Sequence, residues 1–182
     1  MSVSEPTPTG AANKRLSQTV MDMVRSLALV LVAVGAVTLM VWRPTTPSER
    51  VVDLPGTQQF AQNQADFTVL VPSKPDGLAA TSARWQPTEG SGGAVVWHAG
   101  FVVDGSQYLQ VSQAAVDRSA FVDEQTAGGV RVGEQLVGTD SWARYETAER
   151  RSLVRTTGGV TTIVSGTVDW NTLVEAAGSL RS

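Results

Sequence analysis

The 182-residue chain contains no cysteine and only one histidine. Without cysteine it has no disulfide, iron–sulfur cluster, Cys₄ zinc site or thiol nucleophile, so a folded domain must be held together by its apolar core. A single histidine also excludes the zinc sites that need two or more imidazoles. We therefore expect neither a metal nor a cofactor.

Positive charge is scarce in the larger part of the chain. Between Pro44 and Ser182 there are ten Lys and Arg against fifteen Asp and Glu, and ten minus fifteen gives −5. A mildly acidic region lacks the general basic field that attracts phosphate backbones. The composition therefore predicts no nucleic-acid partner.

Sequence motifs of catalysis are missing as well. The glycine pairs at 92–93, 128–129 and 158–159 match neither a P-loop nor a dinucleotide fingerprint, and there is no G-x-S-x-G elbow. His98 lies in a predicted strand with no nucleophile or orienting acid beside it, which favours a structural or surface role. We predict that the chain is not an enzyme and identify no catalytic, cofactor-binding, metal-binding or ligand-binding residue.

One long apolar run stands out. The uncharged residues from Ser26 to Trp42 lie between Arg25 and Arg43, and as a helix they cover roughly 26 Å. Lengthened at both ends, the run predicts a transmembrane helix over 20–43. A cleaved signal peptide would end in a small-x-small site, but this run ends in the bulky residues 39–42, and a cut at the small residues 33–36 would split it. A buried helix would carry a polar face, which the run lacks.

The charges around this run predict its orientation. Three basic residues precede the core of the run and two follow it: Lys14, Arg15 and Arg25, then Arg43 and Arg50. This bias places the N-terminus in the cytoplasm and the C-terminal part outside it. Residues 1–19 are too polar to form a core and are predicted to be a disordered cytoplasmic tail. The expected location is the cell membrane, crossed once.

Residues 44–65 allow two interpretations. Pro44, Pro47 and Pro55 favour an extended linker, which would hold the following domain away from the bilayer. Alternatively, Phe60 and Ala61 pack onto the domain as part of an opening strand or helix. The sequence leaves both open.

Residues 66–182 have the alternating pattern of a β-rich domain. Asp104-Gly105 and Thr157-Gly158-Gly159 indicate hairpin turns, and 119–126 reads as a short helix ended by Gly128-Gly129. Strands are predicted at 66–72, 81–86, 94–103, 107–113, 130–137, 141–147, 151–156 and 160–165.

The chain closes with a predicted helix. Asp169 is a suitable N-cap, and apolar residues then recur at helical spacing: Trp170, Leu173, Val174, Ala177 and Leu180. With its apolar face on the strands, this helix gives an α+β fold in which a mainly antiparallel sheet is covered by a C-terminal helix.

Two groups of side chains have alternative roles. The tryptophans at 85, 97, 142 and 170 fill a core more often than they line a site. The arginines at 144, 150, 151 and 155 alternate with Glu146 and Glu149, which favours a salt-bridged hairpin over an anion clamp.

The order of these features resembles an actinobacterial family of single-pass membrane proteins that carries domain of unknown function 4245. The matching segments are 22–26, 67–72, 97–101, 108–113, 137–142, Tyr145, 164–167 and the closing helix. The loop Lys74–Leu78 departs from the family pattern, which has Leu-Pro and then Trp there. The resemblance implies a membrane-anchored envelope protein and no catalytic residues. A second resemblance, to the Mog1/PsbP-like sandwich, implies a sheet covered by helices.

These observations lead to one functional expectation and one alternative. The first is a membrane-anchored extracytoplasmic envelope protein with a non-catalytic binding or protein-interaction domain. Its partners would be the lipid bilayer through 20–43 and an envelope protein, cell-wall component or lipid. The alternative is a carrier or sensor of a small apolar or lipid ligand in a pocket between sheet and helix. The oligomeric state is not predicted.

Overall fold

The computed structural model describes residues 23–36, 52–116 and 118–182, in two compact units that divide between Ser48 and Glu49. In the first unit residues 23–36 form helix α1, whose large apolar side chains are exposed. Among the described residues, no helix reaches both the length and the mean hydropathy needed to cross a membrane. The predicted span 20–43 is longer than α1. Its remaining residues, 20–22 and 37–43, and the predicted tail 1–19 lie outside the described residues.

The second unit contains a seven-stranded sheet in which all neighbouring strands are antiparallel. In chain order its strands are β2 (Leu78–Pro87), β3 (Val95–Val103), β4 (Gln107–Ala114), β5 (Val130–Val137), β6 (Asp140–Glu146), β7 (Arg151–Thr157) and β8 (Val160–Gly166). Their spatial order is β2-β3-β4-β8-β7-β6-β5, so β8 returns to lie beside β4. A separate two-stranded ladder pairs β1 (Val71–Pro72) with β9 (Leu180–Arg181).

In the described part of this unit, three helices and one short turn accompany the strands. The helices are α2 (Leu54–Gln62), α3 (Arg118–Thr126) and α4 (Trp170–Gly178), and Glu89–Ser91 forms a turn of 3₁₀ helix. Asp169 caps α4 by accepting a hydrogen bond from the Thr172 backbone N–H at 2.8 Å. The predicted α+β class, the antiparallel sheet and the C-terminal helix are therefore confirmed.

Turn residues account for the tight β3–β4 hairpin. Asp104 has φ of 49° and Gly105 has φ of 72°. Two successive left-handed residues match the right-handed twist of the flanking strands, and Asp-Gly tolerates this geometry better than most dipeptides.

The sheet has a different layer on each face. Successive strand residues point to opposite faces, so Trp97 packs in the larger core with Leu173 of α4, while Val96 packs with Phe121 of α3. Helix α2 joins the α4 side through the fully buried Ala61. We call these two surfaces the α4 face and the α3 face.

The predicted strand over 66–72 is wrong for most of its length, because only Val71 and Pro72 pair with another strand. Glutamine side chains take the place of a neighbouring strand. Gln62 accepts from the Val69 N–H at 2.7 Å and donates to the Phe67 carbonyl at 3.1 Å, while Gln113 accepts from the Leu70 N–H at 2.7 Å. These bonds satisfy the backbone without a ladder.

The structure departs from the predicted helix at Leu180 and agrees with one of the two interpretations of residues 54–62. Leu180 follows α4 and pairs with Pro72, because the helix ends at Gly178 and Ser179 is its C-cap. Residues 54–62 are helical and pack on the domain, as in the second interpretation of 44–65, whereas 44–51 lie outside the described residues.

Candidate functional site

A cleft of about 340 Å³ lies between the last turn of α4 and the turn that joins β5 to β6. Its volume is within the range of about 300–1,000 Å³ that is common for small-molecule sites. Four apolar side chains line it: Leu70, Val137, Ala177 and Leu180. The polar part of the lining includes Asp140, Trp142 and Arg155. The cleft thus combines an apolar surface with a few polar groups.

Trp142 is the largest side chain of the cleft and is only 2% exposed. Its indole Nε1 is buried and has no hydrogen-bond acceptor in the described part of the chain. The Arg155 guanidinium carbon lies 5.0 Å from the centroid of the Trp142 ring, a cation–π distance. A buried donor without an acceptor is destabilising by about 1–3 kcal/mol, so an acceptor beside this indole would be favourable.

Arg155 is the cationic group of the cleft. It forms an ion pair with Asp140, in which the arginine side chain is 25% exposed and the aspartate 53% exposed. A guanidinium carries five N–H donors in a planar fork, and the contact with Asp140 joins Nη1 to one carboxylate oxygen. Asp140 is also the only acidic residue in the lining.

A second cleft, of about 440 Å³, lies on the other side of Gly178 and has a mixed charged lining: Lys74, Asp76, Glu175, Gly178, Ser179 and Arg181. Ser179 attaches the chain after β1 to the end of α4, because its Oγ accepts from the Ser73 and Lys74 N–H groups at 3.2 and 3.1 Å. Since acids and bases alternate here, the lining favours neither sign of ligand charge.

The α3 face carries a hydrogen-bonded network around Ser112, which is fully buried. Ser112 Oγ donates to Gln125 Oε1 at 2.9 Å and accepts from Gln110 Nε2 at 2.8 Å. Gln110 also donates to Gln125 at 3.0 Å and accepts from the Tyr108 hydroxyl at 3.0 Å. Each of these polar groups therefore has a partner inside the protein.

His98 joins this network through its Nδ1, which lies 3.0 Å from Ser112 Oγ and 3.4 Å from Gln110 Nε2. Ser112 has a single hydroxyl proton, and both Gln125 Oε1 and His98 Nδ1 are within hydrogen-bonding distance of it. The direction of the His98–Ser112 bond therefore follows from the tautomer of the imidazole. The structural or surface role of His98 stays a prediction.

Burial changes the acid–base behaviour of this region. Desolvation lowers the pKa of His98, with the nearby Glu124 carboxylate acting in the opposite direction and Arg84 in the same one. Desolvation also raises the pKa of the Tyr108 hydroxyl, against the effect of Arg150 and Arg84. Both groups are thus neutral around physiological pH, as the hydrogen-bonded network requires.

The structure places the predicted tryptophans and arginines in several environments. Trp97 and Trp142 are buried, and Trp85 and Trp170 are partly buried against the same core. The arginines are spread over the sheet and do not form one clamp: Arg144 lies 3.8 Å over the Trp170 ring, Arg151 pairs with Glu146 at 3.2 Å, and Arg155 belongs to the cleft. The Arg151–Glu146 pair is thus a salt bridge of the kind predicted for this hairpin.

The cleft itself has no signal in the sequence. Its lining comes from the segment before β1, the end of β5, the β5–β6 turn, β6, β7, α4 and β9. Residues such as Leu70 and Leu180 look like ordinary apolar positions, and only their tertiary placement brings them together. Across residues 23–36, 52–116 and 118–182 no group of three His, Cys, Asp or Glu is arranged to hold a metal ion.

A protein-family model described as "Protein of unknown function (DUF4245)" matches residues 15–180. The chain belongs to the DUF4245 family. No curated protein matches it. Among solved structures, the DUF4245 chain is similar to a chain in the "Crystal structure of MucB in complex with MucA(peri)", with a TM-score of 0.40 and 18% sequence identity. The similarity covers 63% of the DUF4245 chain and 37% of the solved chain.

Proposed function

We propose that this DUF4245 protein is a single-pass, actinobacterial envelope protein whose extracytoplasmic domain acts by binding and not by catalysis. Residues 20–43 would cross the membrane with the N-terminus inside. The support is the uncharged run from Ser26 to Trp42 and the helix over 23–36, whose leucines and valines are exposed on all sides. A helix that is apolar all round is typical of a membrane environment.

Membrane extraction tests this part of the proposal. The full-length protein should stay with membranes in alkaline carbonate, and a variant lacking 20–43 should be released. In intact cells with a permeable outer layer, added protease should digest the C-terminal domain. Release of the full-length chain by carbonate, or a domain protected until the membrane is opened, would contradict the proposed topology.

The edge strand β5 supports a protein-interaction role for the domain. Val130, Val132 and Leu136 on this strand are 70%, 49% and 68% exposed. Within the described residues β5 pairs with β6 alone, so one of its edges has no neighbouring strand, while helices contact both edge strands, α4 at β5 and α2 more extensively at β2. An apolar edge strand offers backbone donors, acceptors and side chains to an extended partner segment. We propose that an envelope protein binds along this edge.

Site-specific photo-crosslinking in the native cell tests this interaction. A benzoylphenylalanine at Leu136 should give a protein adduct, and one at the exposed Thr81 of β2 serves as the matched control. An adduct at 136 and none at 81 is the expected result. Equal labelling at both positions, or none at 136, would refute a partner bound to β5.

The cleft beside α4 favours a second candidate function, a carrier or sensor of a small apolar or lipid ligand. Leu70, Val137, Ala177 and Leu180 provide an apolar surface between sheet and helix. Native mass spectrometry of the protein released from its own membranes tests this function. A bound small molecule supports the carrier, and a mass equal to that of the polypeptide alone contradicts it.

The arrangement of layers also supports a likeness to the Mog1/PsbP-like sandwich. One antiparallel sheet has α4 on one face and α3 on the other. We propose this architecture on the layering alone, and it carries no statement about activity.

A further inference from the structure

We infer that the cleft between α4 and the β5–β6 turn binds an anionic amphiphile, with a carboxylate or phosphate head at Arg155 and a short apolar body beside Leu70, Val137, Ala177 and Leu180. The inference rests on the second candidate function, since it names the chemistry of the ligand that such a carrier would take. Three features of the lining carry it: the charge of Arg155, the unpaired indole N–H and the apolar surface.

Arg155 selects the head group. Its guanidinium is the one cation in the lining, is a quarter exposed and stacks on Trp142. With one donor on Asp140, the planar fork retains N–H groups that suit a second, bidentate acceptor. A carboxylate or phosphate provides two such oxygens, whereas an alcohol provides one weaker acceptor and an ammonium provides none.

Asp140 acts as a replaceable counter-ion of Arg155. Its side chain is more than half exposed at the start of β6, and an ion pair of this kind is weak because water and salt screen it. A ligand anion would compete with Asp140 for the same guanidinium. Removing the aspartate charge should therefore strengthen binding, an effect that damage to the fold would not produce.

Trp142 provides the second polar contact. Its buried Nε1–H has no acceptor within the described chain, although most buried indole N–H groups are hydrogen-bonded. An oxygen of the bound head group would satisfy it. The cleft volume, about 340 Å³, is near the low end for ligand sites and suits a short apolar body.

The experiment uses the full-length protein in phosphatidylcholine nanodiscs and a decanoate that carries a diazirine on its alkyl chain. After irradiation, labelled peptides are mapped by mass spectrometry. Competitors that differ only in the head are decanoate, decyl phosphate, decanol and decyltrimethylammonium. Inorganic phosphate tests the head without the apolar body.

Labelling should fall within peptides that line the cleft, and decanoate or decyl phosphate should compete at concentrations about tenfold lower than decanol. Arg155→Gln should reduce labelling by about tenfold and Trp142→Phe by about threefold. Asp140→Asn should increase it several-fold, on the order of the small energy of an exposed ion pair.

Arg131 and Glu134 provide matched controls, because they form an ion pair at 2.8 Å on β5 and do not line the cleft. Arg131→Gln and Glu134→Gln should leave labelling unchanged. Circular dichroism of each variant separates loss of binding from loss of folding.

Each failure has a distinct meaning. If decanol competes as well as decanoate and Arg155→Gln has no effect, the anion inference is overturned while the apolar carrier stands. If inorganic phosphate competes as well as decyl phosphate, the apolar body is overturned and the cleft is a simple anion site. If no amphiphile labels the cleft, both the inference and the carrier function are refuted.

Discussion

The hydrogen-bonded network on the α3 face and the cleft on the α4 face differ in how their buried polar groups are paired. On the α3 face, Ser112, Gln110 and Gln125 exchange hydrogen bonds of 2.8 to 3.0 Å, and each bond ends on another protein group. On the α4 face, the Trp142 indole N–H is equally buried and has no acceptor in the described chain. A complete network maintains a structure, whereas the unpaired indole N–H beside the cleft is the donor that the proposed ligand would satisfy.

The two residues that most resemble an active site, His98 and Ser112, therefore do not belong to the proposed binding cleft. A lone histidine 3.0 Å from a serine resembles a catalytic pair, yet Ser112 is fully buried and is also bonded to Gln110 and Gln125. The cleft is lined by ordinary side chains, and it is distinguished by the Trp142 indole N–H, which has no acceptor in the described chain.

The largest expected effect is on the complete network. Ser112→Ala removes the three hydrogen bonds of the hydroxyl to His98, Gln110 and Gln125, while the Gln110–Gln125 bond at 3.0 Å remains, so we expect the free energy of unfolding to fall by about 3 kcal/mol. Heating the full-length protein in detergent while monitoring tryptophan fluorescence measures this. Ser141→Ala, at an exposed serine bonded to Glu134, should change stability by less than about 0.5 kcal/mol. Equal effects would mean that the network adds no more stability than one exposed hydroxyl.

Glycine substitutions compare how tightly the two regions are packed. A Cβ at Gly100 would lie 2.4 Å from Ser82 Oγ and 2.8 Å from the Tyr108 hydroxyl, so Gly100→Ala should destabilise by about 2 kcal/mol. A Cβ at Gly178 meets only Val137 at 3.4 Å, and Gly178→Ala should stabilise the end of α4 by about 0.5 kcal/mol. Both are read from the same thermal unfolding curves. A destabilised Gly178→Ala would mean that the cleft is less open than the structure has it.

Phenylalanine replacements at two buried tryptophans test whether the Trp142 indole N–H is unpaired. The Trp97 indole N–H donates to the Leu70 carbonyl at 3.1 Å, while that of Trp142 has no acceptor. Replacement by phenylalanine removes the same atoms from each, so Trp97→Phe should cost about 1 kcal/mol more than Trp142→Phe. Denaturant unfolding of both variants measures the difference. A larger cost at Trp142 would indicate an acceptor for its indole and weaken the ligand inference.

The smallest expected effect is a pH dependence from His98. Burial lowers its pKa in the folded protein below the ordinary value of about 6.5, so the unfolded chain takes up a proton first as the pH falls. Its contribution is complete above that ordinary value and is lost as the pH falls toward the lower folded pKa. Between about pH 7.5 and pH 5.5, His98→Gln should lose less stability than the parent protein. If the stabilities of the parent protein and His98→Gln changed equally with pH, the pKa of His98 would be the same in the folded and unfolded states.

Local sequence patterns predicted much of the fold. Alternation predicted β3 through β8 to within a few residues, Asp104-Gly105 predicted its hairpin, and Asp169 predicted the start of α4. These features depend on residues that are close together in the chain, where propensity, turn geometry and capping act. The uncharged run from Ser26 to Trp42 is likewise visible in the sequence alone and supports the membrane proposal.

Contacts between distant residues decided the rest. The segment at 67–70 has the composition of a strand, but Gln113, more than forty residues away, bonds its backbone instead. Leu180 continues the helical spacing of α4, but the chain turns at Ser179 to pair with Pro72. The cleft, the unpaired Trp142 indole and the exposed β5 edge also arise only when separate elements pack, because a local pattern records what a residue prefers and not which distant groups become its neighbours.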